Sequence, residues 1–423
     1  MNNLIYQTIN IFKKKRIKQL GSLYFSMIIS LFIGIGVSVI NTRFLGKEAY
    51  GDLKFLQSIF SFAIYFVTLG LFYSGSRLIA QKEYTGIKPQ LFGNQIILSL
   101  IMSAGLFIFF FIFSFPQEKI FNNELGYVIR LFSPLLLIFP FQLCFENMLQ
   151  GDNRIYDLSV FRMGPKLFYL IAVIIYAFFY QLTLTSALAF YFLTIVLFIL
   201  LTGIRLKPRF NKFKEVIQIT WKENKTYGFP VYLGSIAGLA STQIAGLTIG
   251  YYVDNTNVGF FYLAITASMP LAMIPNTAGI TFFKDFANMD QIPKKVLGFT
   301  ILIAMLALAL FILIIKPLVI LLYTEEYIAV VPLAYLIAIG STFHGLADFY
   351  NRFLSAQGQG KQLRNSNFII GAVNIIGYIG LVYFFGVQGA SITKLISGII
   401  YAGIMLLYYY RYKKNLMLAK RCN

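Results

Sequence analysis

Long apolar runs separated by short polar stretches set the pattern of this chain from end to end. A helix needs about 20 mostly apolar residues to cross a bilayer, and roughly twelve runs meet that length. They centre on Leu31, Tyr65, Gly105, Leu137, Ala172, Leu193, Leu239, Met269, Leu308, Gly340, Ile376 and Leu395. None alternates apolar and polar residues as barrel strands do, and backbone groups find no water in lipid. The runs therefore predict helices. Connections are short, so neighbouring helices are expected to run antiparallel. The longest polar stretch, 205–227, falls near the middle and divides the chain. The expected organisation is a bundle of six helices over 1–204, a cytoplasmic connector over 205–227, a second bundle over 228–411 and a cytoplasmic tail over 412–423. Val216, Ile217, Ile219 and Trp221 stand among lysines in the connector. That pattern predicts either an amphipathic helix lying in the membrane interface or a solvated basic loop.

Composition agrees with an all-α integral membrane protein. The chain is 58% hydrophobic and 12% charged, where a soluble domain carries about 25% charged residues. Its formal net charge of +20 would suit nucleic acid, but the cations sit in short loops between apolar runs, which is how membrane topology is written. With the N-terminus placed inside and the helices alternating, the cytoplasmic side receives 29 of the 36 basic residues. The exceptions are Arg43, Lys47, Lys54, Lys119, Arg130, Lys316 and Lys394. This bias predicts an even number of spans with both termini cytoplasmic. The basic N-terminal stretch precedes an apolar run long enough to span, with no small-residue cleavage site after it, so a retained first helix is expected. Cys144 and Cys422 are too few for a disulfide framework or a metal site.

The halves resemble copies. Gln150-Gly151-Asp152-Asn153-Arg154 closes the fourth helix, and Gln357-Gly358-Gln359-Gly360-Lys361 closes the tenth. Gly51 and Gly259, in the first hairpin of each half, are separated by almost the same number of residues. Together they suggest a parallel repeat about an axis along the membrane normal, with the connector at its boundary.

Enzyme motifs are mostly missing: there is no Walker A run, no HExxH and no cofactor fingerprint. His344 has no partners spaced for a triad. Short outer loops leave little room for a glycan polymerase or ligase, and Glu48 with Asp52 reads as a solvated pair. Ionisable residues inside the apolar runs carry more information, because each costs about 2.5–3.5 kcal/mol at a helix centre on insertion scales. His344, Asp348 and Arg352 recur every four residues in the tenth helix and so share a face. Either Asp348 pairs with Arg352 in a structural stripe, or the stripe is a proton or sodium site. Glu146 in the fourth helix is a second ion-coupling candidate. Arg43, Lys54, Arg77 and Lys284 flank helix ends. They either snorkel to the interface or hold an anionic headgroup. Arg77 lies in Ser74-Gly75-Ser76-Arg77, among small residues that leave it approachable.

Several short stretches resemble the polysaccharide or O-antigen flippases of the multidrug, oligosaccharidyl-lipid and polysaccharide exporter superfamily. They are Arg43-Phe44-Leu45-Gly46-Lys47-Glu48-Ala49-Tyr50-Gly51, Leu69-Gly70, Arg77-Leu78-Ile79-Ala80, Leu149-Gln150-Gly151 and Phe385-Gly386-Val387-Gln388-Gly389-Ala390-Ser391. The resemblance implies two six-helix bundles forming a V that opens alternately to each side. It also implies a cleft lined by helices one, two, seven and eight. Those helices carry Arg43, Lys54, Arg77 and Lys284, with Gln243, Thr248, Asn276 and Thr281 as polar lining. The implied cargo is an undecaprenyl diphosphate-linked oligosaccharide, moved to the outer leaflet of the inner membrane with coupling to H+ or Na+. Membrane lipid and other glycan-assembly membrane proteins are the expected partners. A multidrug exporter of the same superfamily is the alternative; the first helix lacks the acid that would favour it.

Overall fold

The computed structural model describes the backbone of residues 2–236, 238 and 241–422, and side chains over 28–236, 238, 241–283 and 285–418. Among these residues the chain is helical and contains no strand. Among the described residues, nine helical stretches are long and apolar enough to cross a membrane. Two of them each join a pair of expected spans. Asn2–Val67 bends at Gly46 (φ 77°, ψ 172°), and Gly360–Cys422 bends at Gly386 (φ 58°, ψ −142°). Both dihedral pairs lie where a Cβ is not tolerated. The two glycine turns quoted from the sequence are thus the points where helix one passes into helix two and helix eleven into helix twelve. The span expected around Leu239 falls partly outside the described residues; its flanks are helices Phe229–Ser235 and Ser241–Tyr252.

Packing divides the chain into two compact units. The first contains the residues up to Phe44 and Ala63–Leu233, and the second contains Leu45–Phe62 and the residues from Gly234 onward. Helix two therefore contributes its first part to one unit and its second part to the other.

In the first unit, Leu71, Phe72, Leu78 and Ile79 of helix Leu71–Ala80 pack against Leu91, Phe92 and Leu98 of helix Lys88–Phe113 and against Cys144, Phe145 and Met148 of helix Ile138–Gly151. Val216 of the connector belongs to the same buried cluster. The connector is helical over Phe213–Glu223. Of the two readings, the stretch is a helix rather than a loop; its Val216 and Thr220 are buried and turn inward onto helices Leu71–Ala80 and Lys88–Phe113, while Trp221 is exposed on the other side.

In the second unit, Phe286, Phe349, Phe353, Met405 and Tyr409 form the core at one end. At another place residues 45–62 cross helix Asn255–Thr281. A Cβ at Gly51 would strike the backbone of Asn255, and one at Gly259 would lie 3.0 Å from the Cα of Gly51. The two glycines read as repeat anchors meet face to face, which lets these segments approach as small residues do in membrane interiors. Asn255 seals the crossing by donating to Asp52 (2.7 Å). Tyr50 and Tyr327 meet edge-on beside it (6.4 Å).

Candidate functional site

Helix two stops at Val67 and restarts at Leu71. Leu69 (φ 46°) and Gly70 (φ 82°) are both left-handed. Glycine adopts that conformation freely, whereas for leucine it costs about 1–3 kcal/mol. Carbonyls released by such a break need partners, because lipid offers none. The connector supplies them. Asn224 Nδ2 donates to the Leu69 carbonyl (3.1 Å), and the Ser74 hydroxyl donates to Asn224 Oδ1 (2.9 Å). Tyr232 donates to the Phe66 carbonyl (3.1 Å). A Cβ at Gly70 would collide with the backbone of Gly228. Facing the break, Asn224–Gly228 forms a single π-helical turn, the kind of local irregularity common at functional positions. Farther in, Asn94 Nδ2 donates to the Thr220 hydroxyl (3.0 Å).

Arg77 stands on the next turns of this broken helix. Its guanidinium bonds Glu223 (2.8 Å) and lies over the Tyr227 ring, 4.5 Å from the centroid. Its side chain remains 46% exposed. One edge is thus fixed by the connector and the other is open. The small residues before it serve packing: the Gln95 amide lies directly over Gly75. Glu146 bonds Arg162 (2.8 Å) and is within Coulombic reach of Lys166. Arg43 is exposed just before the Gly46 bend.

The remaining candidates lie in the second unit. Lys54 donates to Gln57 (3.3 Å) and sits 5.5 Å from the Tyr50 ring centroid. Lys284 belongs to the short helix Phe283–Phe286; its side chain lies outside the described residues. His344, Asp348 and Arg352 share a helix, Val330–Ala356, but Asp348 and Arg352 have separate partners. Asn351 Nδ2 donates to the Tyr401 hydroxyl (2.9 Å), which donates to Asp348 (3.3 Å). Arg352 donates to Asn276 (3.4 Å). The His344 ring packs on Tyr401, with centroids 4.8 Å apart, and its Nδ1 is buried without a hydrogen bond. Lys394, from helix twelve, is within Coulombic reach of both His344 and Asp348. This cluster places one acid among two cations, an imidazole and a phenol. The hydrogen bonds among them run from Asn351 through Tyr401 to Asp348. Among the polar lining candidates, Gln243 accepts from Tyr262 (3.4 Å), while Thr248 and Thr281 donate back to their own helices. Among the described residues, no three His, Cys, Asp or Glu side chains group as metal ligands.

Sequence reasoning missed Tyr401 and Asn351, because hydroxyl and amide residues are common in apolar helices and nothing singles these out; Asn276 was expected only as cleft lining, not as the partner of Arg352. Lys394 did carry a signal, a lone cation in an apolar run. Glu223, Asn224 and Tyr227 were hidden in a stretch that reads as charge.

Among the described residues the chain is an all-helical protein with several apolar helices of spanning length, two of them bent at glycine and one broken at Leu69 and Gly70. It resembles the lipid II flippase MurJ in its inward closed conformation, with a TM-score of 0.72 at 14% identity over 94% of this chain and 90% of that one. It also resembles a multidrug resistance MATE family transporter in its inward-facing conformation, with a TM-score of 0.68 at 14% identity over 92% and 95%. A third likeness is to the MATE multidrug transporter DinF-BH, with a TM-score of 0.65 at 16% identity over 93% and 95%. No curated protein matches the chain. Residues 17–283 match the family described as polysaccharide biosynthesis protein, and the chain belongs to that family.

Proposed function

We propose that this protein is a flippase that carries an undecaprenyl diphosphate-linked oligosaccharide from the inner to the outer leaflet of the cytoplasmic membrane. Membership of the polysaccharide biosynthesis family carries the reading. The likeness in fold to a lipid II flippase supports it. Physical chemistry states what such a protein must supply. Each sugar hydroxyl or diphosphate oxygen taken unsatisfied into hydrocarbon costs several kcal/mol. The protein must therefore provide a polar route with cations for the diphosphate, while the polyprenyl tail stays in lipid. Arg77, half exposed and oriented by Glu223 and Tyr227, suits the anionic group. Arg43, Lys54 and Lys284 are further candidates. The His344–Asp348–Tyr401–Lys394 cluster is proposed to carry the coupling proton or sodium ion, with Arg352 as an accessory charge; Glu146, in the first unit, is a separate ion-coupling candidate. Alternating access needs two packings of similar energy, and the break in helix two provides a place for one helix to change direction.

A multidrug exporter is the second reading, favoured by the likeness to the two MATE transporters. Depletion separates the two in cells lacking redundant flippases. The flippase reading expects lipid-linked glycan to accumulate in the inner leaflet and surface glycan to fall, with drug sensitivity unchanged. Normal surface glycan with new drug sensitivity would decide for the exporter.

A further inference from the structure

The outward face of the connector helix is left without a role by everything above. Its inward face is occupied, with Val216, Thr220 and Asn224 buried at successive turns. On the other side Lys214, Gln218, Trp221 and Lys225 recur at i, i+4, i+7 and i+11, a single exposed stripe, with Lys222 beside it. Trp221 is 50% exposed and is the chain's one tryptophan. Just upstream, Phe210 is 55% exposed between the exposed cations Arg209 and Lys212. Of the two acids in this helix, Glu223 is bonded to Arg77, which leaves Glu215 as the exposed one.

Position fixes what this face meets. The apolar helix Leu184–Leu206 ends just before the stretch, and the chain turns through left-handed Lys207 and Lys212. Within that turn the Arg209 amide donates to the Pro89 carbonyl (2.8 Å), at the beginning of helix Lys88–Phe113. The connector helix therefore starts across the ends of two apolar helices of spanning length, where the headgroups of a bilayer around them would lie. An indole flanked by lysines at that depth matches an anionic interface: the ring sits among headgroups and the ammonium groups meet phosphate.

We propose that the Lys214–Trp221–Lys225 stripe docks on anionic phospholipid of the adjacent leaflet. This inference goes beyond the proposed transport activity and does not depend on the cargo. The bound lipid clamps the connector from outside while Asn224 and Glu223 hold the break in helix two from inside.

The sole tryptophan makes the test direct. The full-length protein is placed in nanodiscs of phosphatidylcholine containing a minor fraction of headgroup-spin-labelled lipid, either phosphatidylglycerol-type or phosphatidylcholine-type at equal mole fraction. Tryptophan-selective emission is then read. Docking predicts that the anionic probe quenches Trp221 several-fold more strongly than the zwitterionic one, and that high salt removes the excess. Each of Lys214→Gln, Lys222→Gln and Lys225→Gln should lower the apparent affinity for the anionic probe by about fivefold. Equal quenching by both probes in the unaltered protein would overturn the proposal, as would quenching by neither, since the stripe would then face water or another protein. Because the decisive comparison uses the unaltered chain, failure of a variant to fold leaves it intact.

Discussion

Arg77 concentrates the chemistry of the first unit in one side chain. An arginine proposed to meet anionic cargo would be expected to stand uncompensated, yet Arg77 is paired with Glu223 and stacked on Tyr227. A half-exposed ion pair of this kind contributes little stability, so orientation of the guanidinium is the more consequential effect. The pair gives a prediction with an internal control. Arg77→Gln should reduce glycan export at least tenfold, whereas Glu223→Gln, which keeps the shape and the Tyr227 stack, should reduce it less than threefold. Equal losses in both variants at matched expression, with rescue by exchanging the two charges, would make the pair structural. The sequence did single out Arg77, from its place among small residues at a helix end. It gave no sign of Glu223, because the two are far apart in the chain and only the fold brings the connector onto helix two. The same limit applies in helix ten. A four-residue period placed His344, Asp348 and Arg352 on one face, but Tyr401 and Lys394 come from a different helix, and periodicity says nothing about neighbours in space.

Among elements, helix two and the connector depend on each other. The helix carries a break whose freed carbonyls are taken by Asn224 and Tyr232, and the connector has an inward face that packs on this helix and on helix Lys88–Phe113. Amphipathic spacing made the connector helix legible. What covered its apolar side was not legible, because lipid and protein are equally apolar partners for valine. The crossing at Gly51 and Gly259 shows a second limit. Both were legible as repeated positions, but equivalent positions in a repeat need not touch, and here they do. Close approach at that crossing leaves no space for a side chain. Gly51→Leu should cost about 1–3 kcal/mol through overpacking, measured as a lower midpoint of thermal unfolding in detergent. Gly34→Leu, where a Cβ meets open space, is the control and should leave the midpoint nearly unchanged. An unaltered midpoint in Gly51→Leu would contradict the close-packed crossing.

For the whole molecule, hydrophobic patterning was the most readable layer. Apolar runs of spanning length can only become helices in lipid, and the glycine turns at Gly46 and Gly386 marked where runs that look continuous bend. Function is the least readable layer, since family membership and the shared fold name no cargo. The proposed activity is movement of a lipid-linked oligosaccharide across a bilayer. It is tested most directly with purified protein in liposomes loaded with an undecaprenyl diphosphate oligosaccharide, by following how much glycan becomes accessible to an external glycosidase under an imposed proton or sodium gradient. Accessibility should rise well above that of protein-free liposomes, one gradient should accelerate it, and Asp348→Asn should abolish that acceleration. Accessibility no higher than in protein-free liposomes, from protein that is folded and transports a cationic drug under the same gradients, would contradict the account.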